Sequence, residues 1–342
     1  MIDKNLKIAV LHGGPSSEHD ISVWSSKGVT TTLRQAGFPV LPVYIDRDGR
    51  WHFGDAHSEA GQTQREHLPI AAALQRLQDL AVDVCFMGFH GTYGEDGKVQ
   101  AALDLVGIPY TGSGPTASAV AMDKPLARRV FRGVGLPVAK AREVPARGLG
   151  ELTAARVMAS EIVADLGLPV VVKVPAGGSS VGIEIPRDEQ GVADALRRLS
   201  VGVDMLLCEQ FVDGVELTAG VLELPDGTLE SMPIVEIVPK SSEFFDYHAK
   251  YQALGSEEIV PARISPEATR LVQELGRRAH HALGCRGVSR TDVILGRNGQ
   301  PVILETNTLP GLTPASLLPK AAAEFGLNYE QLLLTILATA LA

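Results

Sequence analysis

From residue 7 to residue 106 the chain alternates short apolar runs with stretches of helical spacing, and few architectures accept that order. Residues 7–11 (KIAVL) read as a buried strand running into His12-Gly13-Gly14-Pro15, a turn rich in breakers. The pattern then predicts a helix over 22–35, a strand over 40–45, a helix over 70–80, a strand over 82–89 and a helix over 99–106. Strands separated by helices specify a parallel sheet covered on both faces. A first α/β domain is therefore expected over residues 1–118.

The order changes after Met122. Helical stretches over 124–133 and 154–166 precede a β-branched strand, 169–173, and a glycine-rich segment, Pro175 to Gly182, leads straight into another strand, 182–185. Strand, glycine loop and strand make a hairpin. With strands over 205–210 and 216–224, residues 119–218 read as a small α+β domain. A third domain, 219–342, opens with one strand over 229–238, followed by an aperiodic polar and aromatic stretch, 239–256. A loop that long in a compact domain is usually functional. Ser265-Pro266-Glu267 is a good helix start, and Val272, Leu275, Ala279 and Leu283 continue the helical spacing up to Gly284. Strands over 288–295 and 302–305 and two closing helices complete the reading.

A length of 342 residues accommodates these domains. The balance of 31 Lys+Arg against 40 Asp+Glu, net −9, argues against a nucleic-acid-binding face but leaves room for a nucleotide, which needs only local cations. Cys85, Cys208 and Cys285 are odd in number and far apart, without a CxxC or a histidine at zinc-motif spacing, so neither a disulfide framework nor a zinc cluster is expected. No apolar run reaches the ~20 residues of a membrane span. Asp3, His12, Glu18 and His19 rule out a signal peptide in the first 20 residues. A soluble cytoplasmic protein is the expectation.

Two motif matches fail on context. Gly178-Ser179-Ser180-Val181-Gly182 fits G-x-S-x-G, but a nucleophile elbow needs a helix after the serine, and a strand follows here. Gly112-Ser113-Gly114-Pro115 looks like a dinucleotide fingerprint with a proline inside its loop, and reads as a plain turn. There is no Walker A loop, so any ATP must be held another way.

Arg290-Thr291-Asp292 and Glu305-Thr306-Asn307 carry the strongest chemical signal. Alternate strand residues face one side, so Arg290 and Asp292 point together, as do Glu305 and Asn307. Three hard oxygen donors suit Mg²⁺ with phosphate oxygens as its other ligands. Alternatively, these residues form a salt bridge or a solvated strand face, although carboxylates on apolar strands are costly to leave unpaired. Lys173 ends a buried strand just before the glycine loop, which could form a lid over phosphates or an ordinary turn beside a surface lysine. After an apolar strand, the backbone of Glu209, Gln210, Phe211 and Val212 could meet an adenine edge, with Glu216 on ribose hydroxyls.

Taken in order, these segments closely resemble the D-alanine–D-alanine ligases of the ATP-grasp superfamily over nearly the whole chain. His12 to Ser22 resembles the family's first motif, and Phe89-His90-Gly91 with Gly94-Glu95-Asp96-Gly97 its second. Gly112-Ser113-Gly114 through Met122-Asp123-Lys124 is similar to the opening of the ATP-grasp module. Gly178 to Gly182 resembles the phosphate lid, Asp246-Tyr247-His248-Ala249-Lys250-Tyr251 the active-site loop, and Glu305 to Thr313 the closing metal motif. Six ordered motifs are far more specific than any one of them.

The resemblance implies an ATP-grasp fold of three α/β or α+β domains, with ATP between the central and C-terminal ones. It also implies a reaction: ATP phosphorylates the carboxylate of one D-alanine, and the amine of a second attacks that acyl phosphate, for peptidoglycan precursor synthesis. By the same resemblance Glu18 pairs with the first substrate's ammonium and His90 lies near its carboxylate. Lys124, Lys173 and Ser180 contact phosphates, and Lys250 lies near the transferred group. Glu209, Phe211 and Val212 face adenine and Glu216 the ribose. Asp292, Glu305 and Asn307 hold two Mg²⁺ or Mn²⁺ ions, Arg290 and the Gly311 N–H form the oxyanion hole, and Ser316 and Leu317 receive the second carboxylate. Tyr251, linked to Glu18 and Ser179, accompanies dipeptide rather than D-alanyl–D-lactate formation in the family. A homodimer is implied by the family alone. Val174 before Pro175, Gly177 in the lid and His248 in the loop depart from the usual pattern without removing a named catalytic group. The alternatives are a D-alanyl–D-lactate ligase, another ATP-grasp carboxylate–amine ligase, or a protein that binds ATP without catalysis.

Overall fold

The computed structural model describes residues 2–54, 67–175, 182–239 and 256–342, and among these the strands form three sheets. The first has the order β3-β2-β1-β4, with β1 Ile8–Gly13, β2 Val40–Ile45, β3 Trp51–Phe53 and β4 Val84–Met87. β1 runs parallel to both β2 and β4, and its six residues are all buried. Its alternation explains why: Ile8 and Val10 pack with Val29 and Leu33 of helix His19–Gln35, whereas Ala9 and Leu11 pack with Ala73, Leu77 and Leu103 on the opposite face. The two-sided parallel sheet is as the sequence predicts. The antiparallel β3 is not, because three residues are too few to show a period.

The second sheet is small and antiparallel, in the order β5-β8-β6-β7: Ala141–Pro145, Met205–Gln210, Val170–Lys173 and Ile183–Glu184. Helices Leu152–Leu166 and Glu189–Leu199 close it over a core of its own. Lys173 pairs with Ile183, so β6 and β7 form the expected hairpin around the glycine segment, of which 176–181 lie outside the described residues.

The third sheet runs β12-β11-β9-β13-β14, with β10 also on β9. Its strands are β9 Gly214–Glu223, β10 Leu229–Ser231, β11 Val235–Pro239, β12 Ser256–Ile259, β13 Val288–Gly296 and β14 Pro301–Asn307. The single strand expected over 229–238 is instead two. Ser231 pairs with Val221 and Val235 with Thr218, so one extra residue intervenes where Pro233 offers no N–H to the ladder.

Helices Pro115–Met122 and Lys124–Gly133 lie on this third sheet, where Ala121, Ala127 and Phe131 meet Leu217, Ala219 and helix Pro266–Leu283. The first of them replaces the plain turn read at Gly112 to Pro115, since Pro115 occupies the first helical position. Asp123 ends that helix and caps the next by accepting the Leu126 N–H at 2.9 Å. One apolar cluster joins the first and third sheets: Ile8, Val29 and Phe86 share it with Leu222, Val235 and Ile336. Among the described residues no helix is long and apolar enough to cross a membrane.

Candidate active site

The first group of polar residues gathers where β1 and β4 end. Glu18 precedes helix His19–Gln35, buried, its N–H donated to Ser16 Oγ at 3.1 Å. Opposite lies Gly91 at φ +72°, where a Cβ would fall 2.5 Å from Ser16 Oγ and 2.7 Å from Glu18 Oε2. Only glycine allows this approach. Glu95 fixes that backbone from both sides: its Oε2 accepts the Gly91 N–H at 2.7 Å, and its own N–H donates to the Gly91 carbonyl at 2.9 Å. Burial, reinforced by the neighbouring Glu18 charge, pushes the Glu95 carboxyl well above the usual carboxylate range. His90 Nε2 lies 3.0 Å from Ser25 Oγ. Burial holds this imidazole below its ordinary pKa although Glu18 works the other way.

The second group comes from β13 and β14. Asp292 stands directly opposite Glu305, and Arg290 opposite Asn307, which puts the four side chains on one face. The intervening Thr291 and Thr306 turn inward and meet at 3.0 Å between hydroxyls. Arg290 forks onto Asp292, Glu305 Oε2 lies 3.1 Å from Lys124 Nζ, and Asn307 Oδ1 accepts the Leu309 N–H at 3.2 Å. The charge of Arg290 reaches both His90 and Glu95, so the two groups share one electrostatic site. Asp292, Glu305 and Asn307 offer hard oxygen donors beside two cations, a set that fits Mg²⁺ or Mn²⁺ carried in with phosphates.

Beyond β14 the chain turns through Gly311 to Ser316, the cap position of helix Leu317–Phe325, with Leu317 buried at its first turn. Ser316 Oγ accepts the Thr313 N–H at 3.2 Å and lies 2.7 Å from Thr313 Oγ1. A Cβ at Gly311 would sit 2.9 Å from Ser316 Oγ, so glycine is what keeps this backbone against the serine.

The third group lies across the gap between the second and third sheets. Lys173 Nζ is 2.6 Å from Glu209 Oε2, and Arg128 Nη1 is 2.5 Å from Glu209 Oε1, all three buried. The Lys124 N–H donates to the Pro175 carbonyl at 3.2 Å, tying the base of the hairpin to the lysine that meets Glu305. Phe211 and Val212 link β8 to β9, on which Glu216 pairs with Ile237 and Ile294. Ser179, Ser180, Lys250 and Tyr251 lie outside the described residues.

Sequence reasoning assigned no role to Glu95 or Arg128. Glu95 lies within the Gly94-Glu95-Asp96-Gly97 motif, but its importance comes from burial beside Glu18. Arg128 belongs to a helix that also carries Arg129 and Arg132, and only the fold singles it out as the partner of Glu209.

Comparison with known proteins finds relatives over nearly the whole chain. Two family models match, D-ala D-ala ligase N-terminus over residues 7–113 and D-ala D-ala ligase C-terminus over 130–338. The chain is 41% identical to the D-alanine–D-alanine ligase of Halalkalibacterium halodurans, covering 96% of this chain and 97% of that one. It is 39% identical to that of Leptospira interrogans, covering 95% of each. A D-alanine–D-alanine ligase from Bacillus anthracis complexed with ATP superposes with a TM-score of 0.77 at 28% identity, covering 99% of this chain and 98% of that one. A D-Ala:D-Ser ligase from Enterococcus faecalis superposes with 0.80 at 29% identity, covering 98% and 99%.

Proposed function

The chain belongs to the D-alanine–D-alanine ligase family, and from that premise we propose that it joins two D-alanine molecules to D-alanyl-D-alanine with cleavage of ATP to ADP. Its fold is the ATP-grasp fold of these enzymes. The single observation that carries the reading is the meeting of a buried polar pocket, Glu18 with His90 and Glu95, and the Arg290–Asp292 fork in one electrostatic site.

Condensing a free carboxylate with an amine in water is uphill, so the carboxylate must be activated. Glu18 receives the ammonium of the first D-alanine, and His90 faces its carboxylate. The carboxylate oxygen takes the γ-phosphoryl group, and ADP leaves. Lys124 and Lys173 neutralise the phosphates, Ser180 contacts them and Lys250 lies near the transferred group, while Glu209, Phe211 and Val212 meet adenine and Glu216 the ribose. Two Mg²⁺ or Mn²⁺ ions held by Asp292, Glu305 and Asn307 would supply further charge neutralisation when bound. The second D-alanine, its carboxylate at Ser316 and Leu317, attacks with its neutral amine; phosphate departs and the amine loses a proton. Arg290 and the Gly311 N–H stabilise the tetrahedral oxyanion between these events. Ser179 and Tyr251 complete the set, Tyr251 steering the outcome to a dipeptide. The product feeds peptidoglycan precursors, and a homodimer working in the cytoplasm, where ATP is available, is the assembly we infer.

The test is Mg²⁺-dependent ADP release with D-alanine, L-alanine, D-alanine plus D-lactate, D-alanine plus D-serine, or no amino acid. Release that needs D-alanine alone and yields the dipeptide is expected. Preference for D-lactate or D-serine as second substrate moves the chain to a neighbouring branch. ATP binding without release in any arm leaves a binding protein.

A further inference from the structure

The edge of the first sheet assembles a cluster that the reaction does not use. β2 ends at Ile45, Asp46 opens the turn to β3, and Tyr44 pairs with His52. The antiparallel bridge between Trp51 and Leu68 then sets His67 beside His52, with ring centroids 4.4 Å apart at 78°. Register across strands, not spacing along the chain, brings these residues together.

We propose that Asp46, His52 and His67 bind one transition-metal ion of the zinc class. One ligand atom from each lies within 4.8 Å of the other two. His52 Nε2 is 3.0 Å from Asp46 Oδ2, close to the edge of about 3.3 Å that two zinc bonds of 2.0–2.1 Å subtend in a tetrahedron. Asp46 is rigidly aimed, because its Oδ1 also accepts the N–H groups of Asp48 and Arg50 at 2.9 Å each. His52 is more than nine-tenths buried, and Nε2, the nitrogen that faces Asp46, is the one placed to ligate. Two imidazoles and one carboxylate suit zinc far better than Mg²⁺. His67 is exposed, so an ion can enter from solvent and keep water at its fourth position.

The experiment uses the full-length chain without an affinity tag, stripped with chelator and dialysed against micromolar free Zn²⁺ in excess Mg²⁺. Retention of one zinc per chain, with affinity at least about tenfold weaker in His67→Ala and Asp46→Asn, is expected. A parent that retains no zinc, or variants that bind it as tightly as the parent, overturns the proposal. His67→Ala removes only an exposed side chain, so the comparison does not depend on a variant that fails to fold. ADP release in zinc-free Mg²⁺ buffer is read separately, and there His67→Ala matches the parent.

Discussion

Arg290 and Asp292, two residues apart on one strand, lie fork to fork, with Nε 2.8 Å from Oδ1 and Nη2 2.9 Å from Oδ2. Burial alone would weaken the guanidinium's hold on its proton, but Asp292, aided by Glu305 and Glu95, outweighs it and the pKa is raised. The cation is thus permanent and fixed in direction before substrate arrives. Arg290→Ala is expected to lower kcat by about 10²–10³ while ATP affinity stays within a few fold. Arg290→Lys should recover little, since a point charge cannot replace a bidentate fork. Paired measurements of kcat and ATP Kd check this, and undiminished turnover would remove the oxyanion role.

Gly91 tests the proposed ammonium pocket. Alanine there places a methyl 2.7 Å from Glu18 Oε2 and adopts φ +72°, a conformation that costs about 1–3 kcal/mol. The KM for D-alanine should rise at least about tenfold, equivalent to 1.4 kcal/mol, with the KM for ATP unmoved. A larger change for ATP than for D-alanine in steady-state kinetics would argue against the pocket as described.

Glu209 holds two buried cations, Lys173 and Arg128, with one carboxylate. Glu209→Gln leaves both short of a counter-charge and should cost about 3–5 kcal/mol of stability together with ATP affinity. Denaturant titration with and without nucleotide checks both parts. A variant as stable as the parent would show that the cations find other partners.

His280 gives a pH dependence unrelated to catalysis. Burial depresses its pKa from 6.5 to about 4, and its Nδ1 lies 2.8 Å from Ser289 Oγ. A base depressed in the fold contributes stability that is present above its unfolded pKa and is lost as pH falls through 6.5 toward about 4. Between pH 7.5 and pH 5 this group should account for about 2 kcal/mol of lost stability. His280→Asn should flatten the stability curve over that window by a similar amount, measured by urea unfolding at both pH values. An unchanged slope would mean that His280 does not supply the linkage.

Much of this molecule is legible in its residues, and the gaps have physical causes. β1 and β13 announce themselves because Ile8, Val10, Val293 and Leu295 sit in apolar runs, and Asp292 and Glu305 stand out as costly exceptions within such runs. β3 is too short for a period. Pro233 divides a run that otherwise reads as one strand, and the small side chains after Pro115 hid a helix behind a turn signature. Glu95, Arg128 and the trio of Asp46, His52 and His67 depend on contacts between distant segments, which no local pattern encodes.

The shared cluster of Ile8, Val29 and Phe86 with Leu222, Val235 and Ile336 has a practical corollary for dissecting the protein. Severing the chain near residue 118 would tear one oil drop in two, and each fragment would present its half to solvent as an aggregation surface. The module built on β5 to β8 has instead a complete interior of its own. It is the piece to label or exchange without opening either neighbouring interior.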